Sequence, residues 1–183
     1  MVKSQSSRIA YYAVFGGFVG ALVMGAIAYM MPIPNTGGAP FFVAATMLMG
    51  MGSMSWAAGW TLHLITGVII GAIFGVLAAK VSSLGLKTKS RVLVLGGVAG
   101  VAVFAVFFIP MMAMLMPALM GMPAMVGGGF IAHVIFGLVL GGVTSFAVPK
   151  SAPSYKCPTC GAKFETESEF EEHGKKHMSS TST

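Results

Sequence analysis

Apolar residues fill most of the first 150 positions in four long stretches, and polar residues are confined to the gaps between them. The stretches cover residues 9–31, 60–79, 92–116 and 129–148. A helix needs about 20 apolar residues to cross the hydrocarbon core of a bilayer, so each stretch is long enough. The pattern predicts four membrane-spanning helices, with a kink at Pro110 in the third, because proline removes a backbone donor inside a helix.

A further apolar segment, residues 41–58, raises the alternative of five spans. Basic residues mark the cytoplasmic side of short loops. With four spans, all seven basic residues of positions 1–150 fall on one side, whereas a fifth span would place the basic loop of residues 80–91 on the other. We therefore interpret residues 41–58 as an interfacial or re-entrant segment and expect both termini in the cytoplasm.

Short motifs recur between the two halves of the apolar region. The first and third stretches share the pattern Gly-Gly-x-x-Gly, which begins at Gly16 and again at Gly96, 80 residues later. The second and fourth share a histidine followed by small residues at every fourth position, and these histidines, His63 and His133, are 70 residues apart. We predict two tandem two-helix repeats in parallel orientation. The first stretch is then a retained span and not a cleaved signal peptide.

The small residues that follow each histidine at every fourth position give each helix one smooth face, because positions four apart lie on the same side of a helix. Helices in lipid associate mainly through close packing of such residues. The stripes predict a compact four-helix bundle, although the same faces could equally pack a homo-oligomer. The stripe glycines are Gly67, Gly71 and Gly75 in the second helix, with Gly137 and Gly141 in the fourth.

The composition indicates that membrane lipid is the main solvent of this region. Hydrophobic residues make up 56% of the chain and charged residues 9%, against roughly 25% charged residues in a soluble domain. The region has basic residues but no carboxylate, and its positive charge therefore belongs to a membrane segment. We do not interpret this charge as a sign of nucleic-acid binding. No nucleophile has a basic partner there, and no enzyme activity is predicted.

The two histidines are candidate functional residues, because ionisable side chains are costly inside a membrane. The alternative is that each is a neutral imidazole, hydrogen-bonded to a neighbouring helix. Thirteen of the 16 methionines lie in or beside the half of the bundle opposite the termini. Thioethers and imidazoles both bind copper, but methionine also fills apolar gaps. The spacing Met112-x3-Met116 resembles the methionine pair of high-affinity copper transporters, so a small transporter or copper-handling protein is the alternative function.

Residues 9–148 as a whole resemble a family of small, uncharacterised four-span prokaryotic membrane proteins. The shared features are an aromatic-x-x-His start to the second span, a methionine-rich end to the third and a His-x3-Gly fourth span. This resemblance implies a fold and no activity. In this chain the features are Trp60 to His63, Met111 to Met116 and His133 to Gly141.

The C-terminal segment changes from apolar to charged and contains both cysteines of the chain. The spacing Cys157-x2-Cys160-x12-His173-x3-His177 is that of a zinc site with two cysteines and two histidines. The alternatives are a disulfide between the two cysteines or a disordered tail. Three aromatic residues placed around these ligands would form the small core: Tyr155, Phe164 and Phe170.

These positions resemble the C2H2 zinc finger family, with Phe170 where leucine is usual. The resemblance implies a ββα fold with one structural zinc ion. It also places the base-reading positions of a DNA-binding finger on Thr166, Glu169 and Glu172, where acidic side chains would repel phosphates. A single finger reads only about three base pairs. We expect the finger to bind an unknown cytosolic protein, and not nucleic acid by itself.

The sequence therefore predicts an all-α, multi-pass membrane protein of the cell membrane with a cytoplasmic zinc finger. Residues 1–148 form the four-helix bundle and residues 149–154 a linker. The finger covers residues 155–178, and residues 179–183 are a disordered tail. The chain from Pro149 to Tyr155 reaches at most about 25 Å when extended, so the finger is expected to stay near the bilayer.

Overall fold

A computed structural model of the chain describes residues 2–80, 88–148, 155–164 and 167–179. The chain divides into two compact units, Met1–Val148 and Pro149–Thr183. The predicted linker at residues 149–154 lies outside the described residues, and so do residues 180–183 of the predicted tail.

The first unit is helical throughout its described length apart from short connections. A π-helical turn over Phe104–Phe108 joins the third long helix to its continuation. Prolines mark two of the helix starts, where a missing backbone donor costs least: Pro40 precedes α2 and Pro123 begins α6. The helices are α1 (Val2–Ala28), α2 (Phe41–Leu48), α3 (Ser55–Lys80), α4 (Lys89–Val103), α5 (Ile109–Leu115) and α6 (Pro123–Thr144).

Four helical segments of the described chain are long and apolar enough to cross a membrane, as predicted for a multi-pass membrane protein. Their bounds differ from the predicted ones. The first helix ends at Ala28 and not at residue 31, because Pro32 and Pro34 follow closely and cannot continue it. The helices that contain the second and fourth stretches begin five or six residues earlier than predicted. The four segments are Ser6–Ala28, Gly52–Ala79, Lys89–Leu115 and Pro123–Ala147.

The outward faces of these helices are apolar. Val94, Val98 and Val106 on the third segment are each more than half exposed, as are Ile73 on the second and Ile131 on the fourth. A soluble monomer rarely exposes apolar surface continuously over several helices. The exposed faces therefore fit contact with membrane lipid.

Part of the segment 41–58 packs within the bundle, although residues 48–54 are exposed. Val43 and Ala44 on α2 are buried, and the Thr46 hydroxyl donates to the carbonyl of Ser55 (2.8 Å), which ties α2 to the first turn of α3. Gly50 has a φ of 80°, a left-handed conformation that lets the chain reverse between the two helices. The segment expected at the membrane interface thus contributes a short helix with a buried middle part to the fold.

Glycine sets the distance between the long helices, which contact each other in the order α3, α1, α6, α4. A Cβ atom added to Gly71 would lie 3.1 Å from the Cα of Gly17, and one added to Gly141 would lie 3.1 Å from the Cα of Gly96. Side-chain carbons are rarely so close to backbone atoms, so any larger residue would push these helices apart. The predicted stripes on α3 and α6 are thus packed within one chain, against α1 and α4.

The two helix pairs meet in the same register. Gly71 of α3 faces the carbonyl of Ala13, and Gly141 of α6 faces the carbonyl of Val92. Ala13 and Val92 are 79 residues apart in the chain. The Gly-Gly-x-x-Gly motif predicted that equivalent residues of α1 and α4 are 80 positions apart, so the predicted separation is one residue too large at this interface.

The glycines of the α1 motif face two different helices. A Cβ atom on Gly16 would lie 3.0 Å from the carbonyl oxygen of Leu140, and one on Gly20 would lie 3.0 Å from that of Phe136. Both glycines therefore face α6, whereas Gly17 faces α3. The two adjacent glycines of α1 allow it to pack closely against two helices at once.

A π-helical turn replaces regular helix just before Pro110, where the sequence predicted a kink. Proline lacks an N–H group, and its ring clashes with the carbonyl four residues earlier, at Val106. A wider turn relieves that clash. It also sets the direction of the Phe104 and Phe108 rings, which stack at a centroid distance of 5.5 Å.

The second unit has a small antiparallel sheet followed by a helix. Strand β1 (Tyr155–Lys156) pairs with β2 (Lys163–Phe164), so that Tyr155 lies opposite Phe164. Helix α7 covers Glu167–Ser179 and contacts both strands. The short strands and the helix come together around the side chains considered below.

Substituting Gly137 with alanine should destabilise the bundle by about 1–3 kcal/mol, the usual cost of overpacking. The new methyl group would collide with the carbonyl of Gly96 and lie 2.8 Å from the backbone nitrogen of Gly100. Gly127→Ala is the matched control on the same helix, because no atom lies within 4 Å of its added Cβ. Unfolding in mixed detergent, followed by circular dichroism, measures both. Equal stability of the two variants would contradict the glycine interface.

Candidate functional site

Three of the four predicted zinc ligands come together in the second unit. The sulfur atoms of Cys157 and Cys160 and a ring nitrogen of His173 all lie within 4.8 Å of one another. The Cys160 sulfur and the His173 Nε2 atom are 3.0 Å apart. His177 lies four residues after His173 on α7, but its side chain is outside the described part of the chain.

A tight turn between the strands positions the two thiols. The Cys157 amide donates to the carbonyl of Ala162 (2.8 Å), and the Gly161 amide donates back to the carbonyl of Cys157 (2.9 Å). Gly161 has a φ of 76°, where glycine is favoured because it has no Cβ. Both cysteines are free thiols, so this structure does not contain the alternative disulfide.

The three predicted core aromatics pack beside the thiols. The rings of Tyr155 and Phe170 stack at 5.7 Å, and Phe164 lies 6.2 Å from Phe170. Phe164 also lies 4.7 Å from the ring of His173. The aromatic residues therefore support the orientation of the histidine as well as filling the space between sheet and helix.

The turn also favours the thiolate that binds metals. The pKa of the Cys157 thiol lies below its ordinary value, chiefly because the backbone amide of Cys160 donates a hydrogen bond to the sulfur. Desolvation opposes this effect, and the Thr159 amide adds to it. A lower thiol pKa makes the metal-binding form more available near neutral pH.

The donor set fits a tetrahedral metal ion. Bonds of about 2.3 Å to sulfur and about 2.0–2.1 Å to nitrogen separate a sulfur from a nitrogen by about 3.6 Å. The 3.0 Å between Cys160 and His173 would therefore widen by about half an ångström, which side-chain rotation can supply. The cluster can hold a metal ion with small adjustments.

The two membrane histidines line one cavity of about 210 Å³ in the first unit. His63 comes from α3 and His133 from α6, and the cavity is also lined by residues of α1, α2, α4, the π-helical turn and α5. Each histidine lies deeper than its predicted span suggested. They stand eight and ten residues after the first residues of α3 and α6, or about 12 and 15 Å along the helices.

Each imidazole uses one ring nitrogen in a hydrogen bond to a helix carbonyl. The Nε2 atom of His63 donates to Ala21 of α1 (2.9 Å), as the prediction of a bond to a neighbouring helix requires. The Nδ1 atom of His133 donates instead to Gly129 on its own helix (2.7 Å). Among the described residues, the second nitrogen of each ring has no hydrogen-bond partner. Neither nitrogen is fully buried, because no fully buried side-chain nitrogen in this part of the chain lacks a hydrogen bond. These second nitrogens therefore remain accessible.

Aromatic rings enclose both histidines. Phe42 of α2 stacks on His63 with a centroid distance of 4.4 Å and an angle of 13° between the rings. Phe108 and Phe104 lie 4.9 and 5.6 Å from His133. Sequence reasoning did not identify these partners. The spacing Phe104-x3-Phe108 was a usable signal, but the place of Phe42 depends on how α2 folds back.

Both residues of the predicted methionine pair lie in one buried cluster, but only Met112 lines the cavity. Met112 is 1% exposed and lines the cavity. Met116, 8% exposed, belongs to a cluster of buried residues with Val43 and Leu119 and does not line the cavity. Five more methionines line the cavity besides Met112: Met24, Met31, Met49, Met111 and Met125.

Comparison with known proteins adds no relative to this picture. No family model, curated protein or solved structure matches the chain. The two family resemblances noted from the sequence therefore stay predictions, and the function is argued from the described side chains.

Replacing Cys157 with alanine should weaken metal binding at the second unit by more than about 100-fold, since even outer-shell partners are worth 10- to 100-fold. Titration of the full-length chain with Co²⁺ in detergent measures this affinity. Hydrogen exchange should rise in residues 155–179 and stay unchanged in the bundle. Lys175→Ala, an exposed change on α7, is the control. Retention of full affinity by the Cys157 variant would contradict the site.

Proposed function

We propose that this chain is a multi-pass membrane protein whose C-terminal unit is a structural C2H2 zinc finger that binds a protein partner at the cytoplasmic membrane face. The supporting observation is the convergence of Cys157, Cys160 and His173 in a chain with four apolar spans. We expect His177 to provide the fourth ligand, because it follows His173 by one turn of α7. Two thiolates and two imidazoles are a common ligand set of structural Zn²⁺.

The proposed role of zinc is structural. Four protein ligands leave no open position for water or substrate, which catalytic zinc sites need. The aromatic core of Tyr155, Phe164 and Phe170 is too small to fold the unit without help, and metal binding supplies the missing free energy. We therefore propose an interaction module and not an enzyme.

The charge of α7 favours a protein partner over nucleic acid. The helix has four glutamates against two lysines, a net charge of −2. Glu169, Glu171 and Glu172 are exposed, and a surface of this sign repels the phosphates that dominate nucleic-acid affinity. The complementary partner is a protein with a basic surface.

The membrane bundle would determine where this partner is met. All seven basic residues of positions 1–150 fall on the side of the termini if the four helices cross the bilayer, and the positive-inside rule assigns that side to the cytoplasm. The matched registers of the α1–α3 and α4–α6 pairs favour two tandem two-helix units. The six residues of positions 149–154 can extend by at most about 22 Å, so the finger meets its partner close to the membrane.

A photo-crosslinking amino acid at position 171 distinguishes the two kinds of partner in cells that express the full-length chain. The expected adduct is destroyed by protease and survives nuclease. Because Glu171 is exposed, the probe can enter the surface without disturbing the core. The same probe in a Cys157→Ala chain should lose the adduct, since the partner needs the folded finger.

A charge-reversal variant provides the second control. Glu169→Lys together with Glu172→Lys should reduce the adduct at least about tenfold, while Lys163→Ala on β2 leaves it unchanged, because a basic partner is attracted by the acidic face. An adduct that nuclease removes, and that the reversal strengthens, would contradict a protein partner.

A further inference from the structure

We infer that the cavity between the membrane helices is a binding site for Cu(I), held by the free ring nitrogens of His63 and His133 and by methionine sulfur, chiefly that of Met112. All three side chains line the cavity. This site is separate from the finger and does not depend on the function proposed for it.

The hydrogen bonds of the histidines prepare them as metal ligands. A neutral imidazole has one N–H group and one lone pair, and each histidine uses its N–H group on a backbone carbonyl. The lone pair is then on Nδ1 of His63 and on Nε2 of His133. Metal-binding histidines in proteins almost always donate their other nitrogen in this way, which fixes the tautomer and the direction of the ring.

Neighbouring aromatic rings restrict the rotation of both imidazoles. Phe42 lies nearly parallel to His63 at 4.4 Å, and Phe108 lies 4.9 Å from His133. The two rings are thus held in place on the same cavity before any ligand binds. A site formed in advance loses less conformational entropy on binding.

Methionine provides the soft ligands that the histidines alone lack. Met112 is buried beside the cavity, and its flexible side chain can move its sulfur toward an ion without a backbone shift. Thioethers select Cu(I) over harder ions, and imidazole accepts copper as well. A cavity lined by two histidines and several methionines is therefore suited to a soft metal.

The absence of charge on the cavity favours a monovalent ion. None of the residues that line it is acidic or basic apart from the two histidines. The cost of moving an ion out of water grows with the square of its charge, so a divalent ion without an anionic ligand costs about four times as much as a monovalent one. Cu(I) with neutral nitrogen and sulfur ligands leaves a single positive charge.

Two lining methionines also connect the cavity to the outside of the bundle. Met49 is 56% exposed and Met111 is 39% exposed, and both line the cavity. Other methionines at the same end are more exposed still, Met30 at 81% and Met114 at 82%. Met49 and Met111 thus offer thioethers both at the surface and at the cavity.

The test measures Cu(I) binding by the full-length chain in detergent, under anaerobic reducing conditions, by competition with a chromophoric Cu(I) chelator. Cys157→Ser and Cys160→Ser are included throughout, since thiolates of the finger would also bind Cu(I). We expect one Cu(I) per chain. X-ray absorption at the copper edge should show both sulfur and imidazole ligands, and a shell without sulfur would overturn the assignment.

The variants separate the site from general methionine binding. His63→Gln with His133→Gln keeps an amide donor for each carbonyl but replaces the imidazole nitrogen by an amide oxygen, a harder ligand, and should weaken Cu(I) binding at least about tenfold. Met112→Leu should do the same, whereas Met114→Leu, a matched change two residues away on α5, should have no effect. Circular dichroism and gel filtration check that each variant is folded. Full affinity in the double glutamine variant, or equal losses in the two leucine variants, would overturn the proposal.

Discussion

The first unit depends on close backbone contact between glycines of neighbouring helices. Lipid offers no hydrophobic force to drive helices together, so they must gain their stability from close packing. Gly71 and Gly141 meet Gly17 and Gly96 with no room for a side chain. Because this contact has one register, it also fixes the height of every residue along the paired helices.

That register places the histidines. His63 precedes Gly67 by one helical turn, and at that height its ring reaches the carbonyl of Ala21 on α1. On the other pair, the carbonyl of His133 lies against Gly100, so a side chain at position 100 would displace the backbone that holds the imidazole. The glycine contacts therefore link helix packing to the chemistry of the cavity.

The two metal sites that we propose differ in their ligands. In the second unit, Cys157 and Cys160 offer sulfur ligands, and metals are bound by the thiolate form of cysteine, whose negative charge offsets that of a divalent ion. None of the residues that line the cavity between the helices is a carboxylate, a cysteine, a lysine or an arginine. The two proposed sites can differ in this way because residues 1–150 contain no carboxylate.

Much of the fold follows from local sequence, because length and apolarity decide which segments can cross a bilayer. The spacing of Cys157, Cys160 and His173 was likewise enough to predict which side chains meet, since a short turn and one helical face determine it. The buried place of α2 was not predictable, as an apolar segment with glycines suits lipid and protein equally. The one-residue shift of the α1 register also escaped prediction, because Gly16 and Gly17 are identical residues that face different helices.

The most direct measurement of the glycine register is a disulfide between α1 and α3. A Cβ atom on Gly75 would lie 2.9 Å from the Cβ of Ala13, and a disulfide requires about 3.8 Å, so a small separation suffices. With Cys157 and Cys160 changed to serine, Ala13→Cys with Gly75→Cys should cross-link almost completely under mild oxidation. Ala13→Cys with Val76→Cys should not, because Val76 is 47% exposed on another face of the helix. Cross-linking of the second pair and not the first would contradict the packing described here.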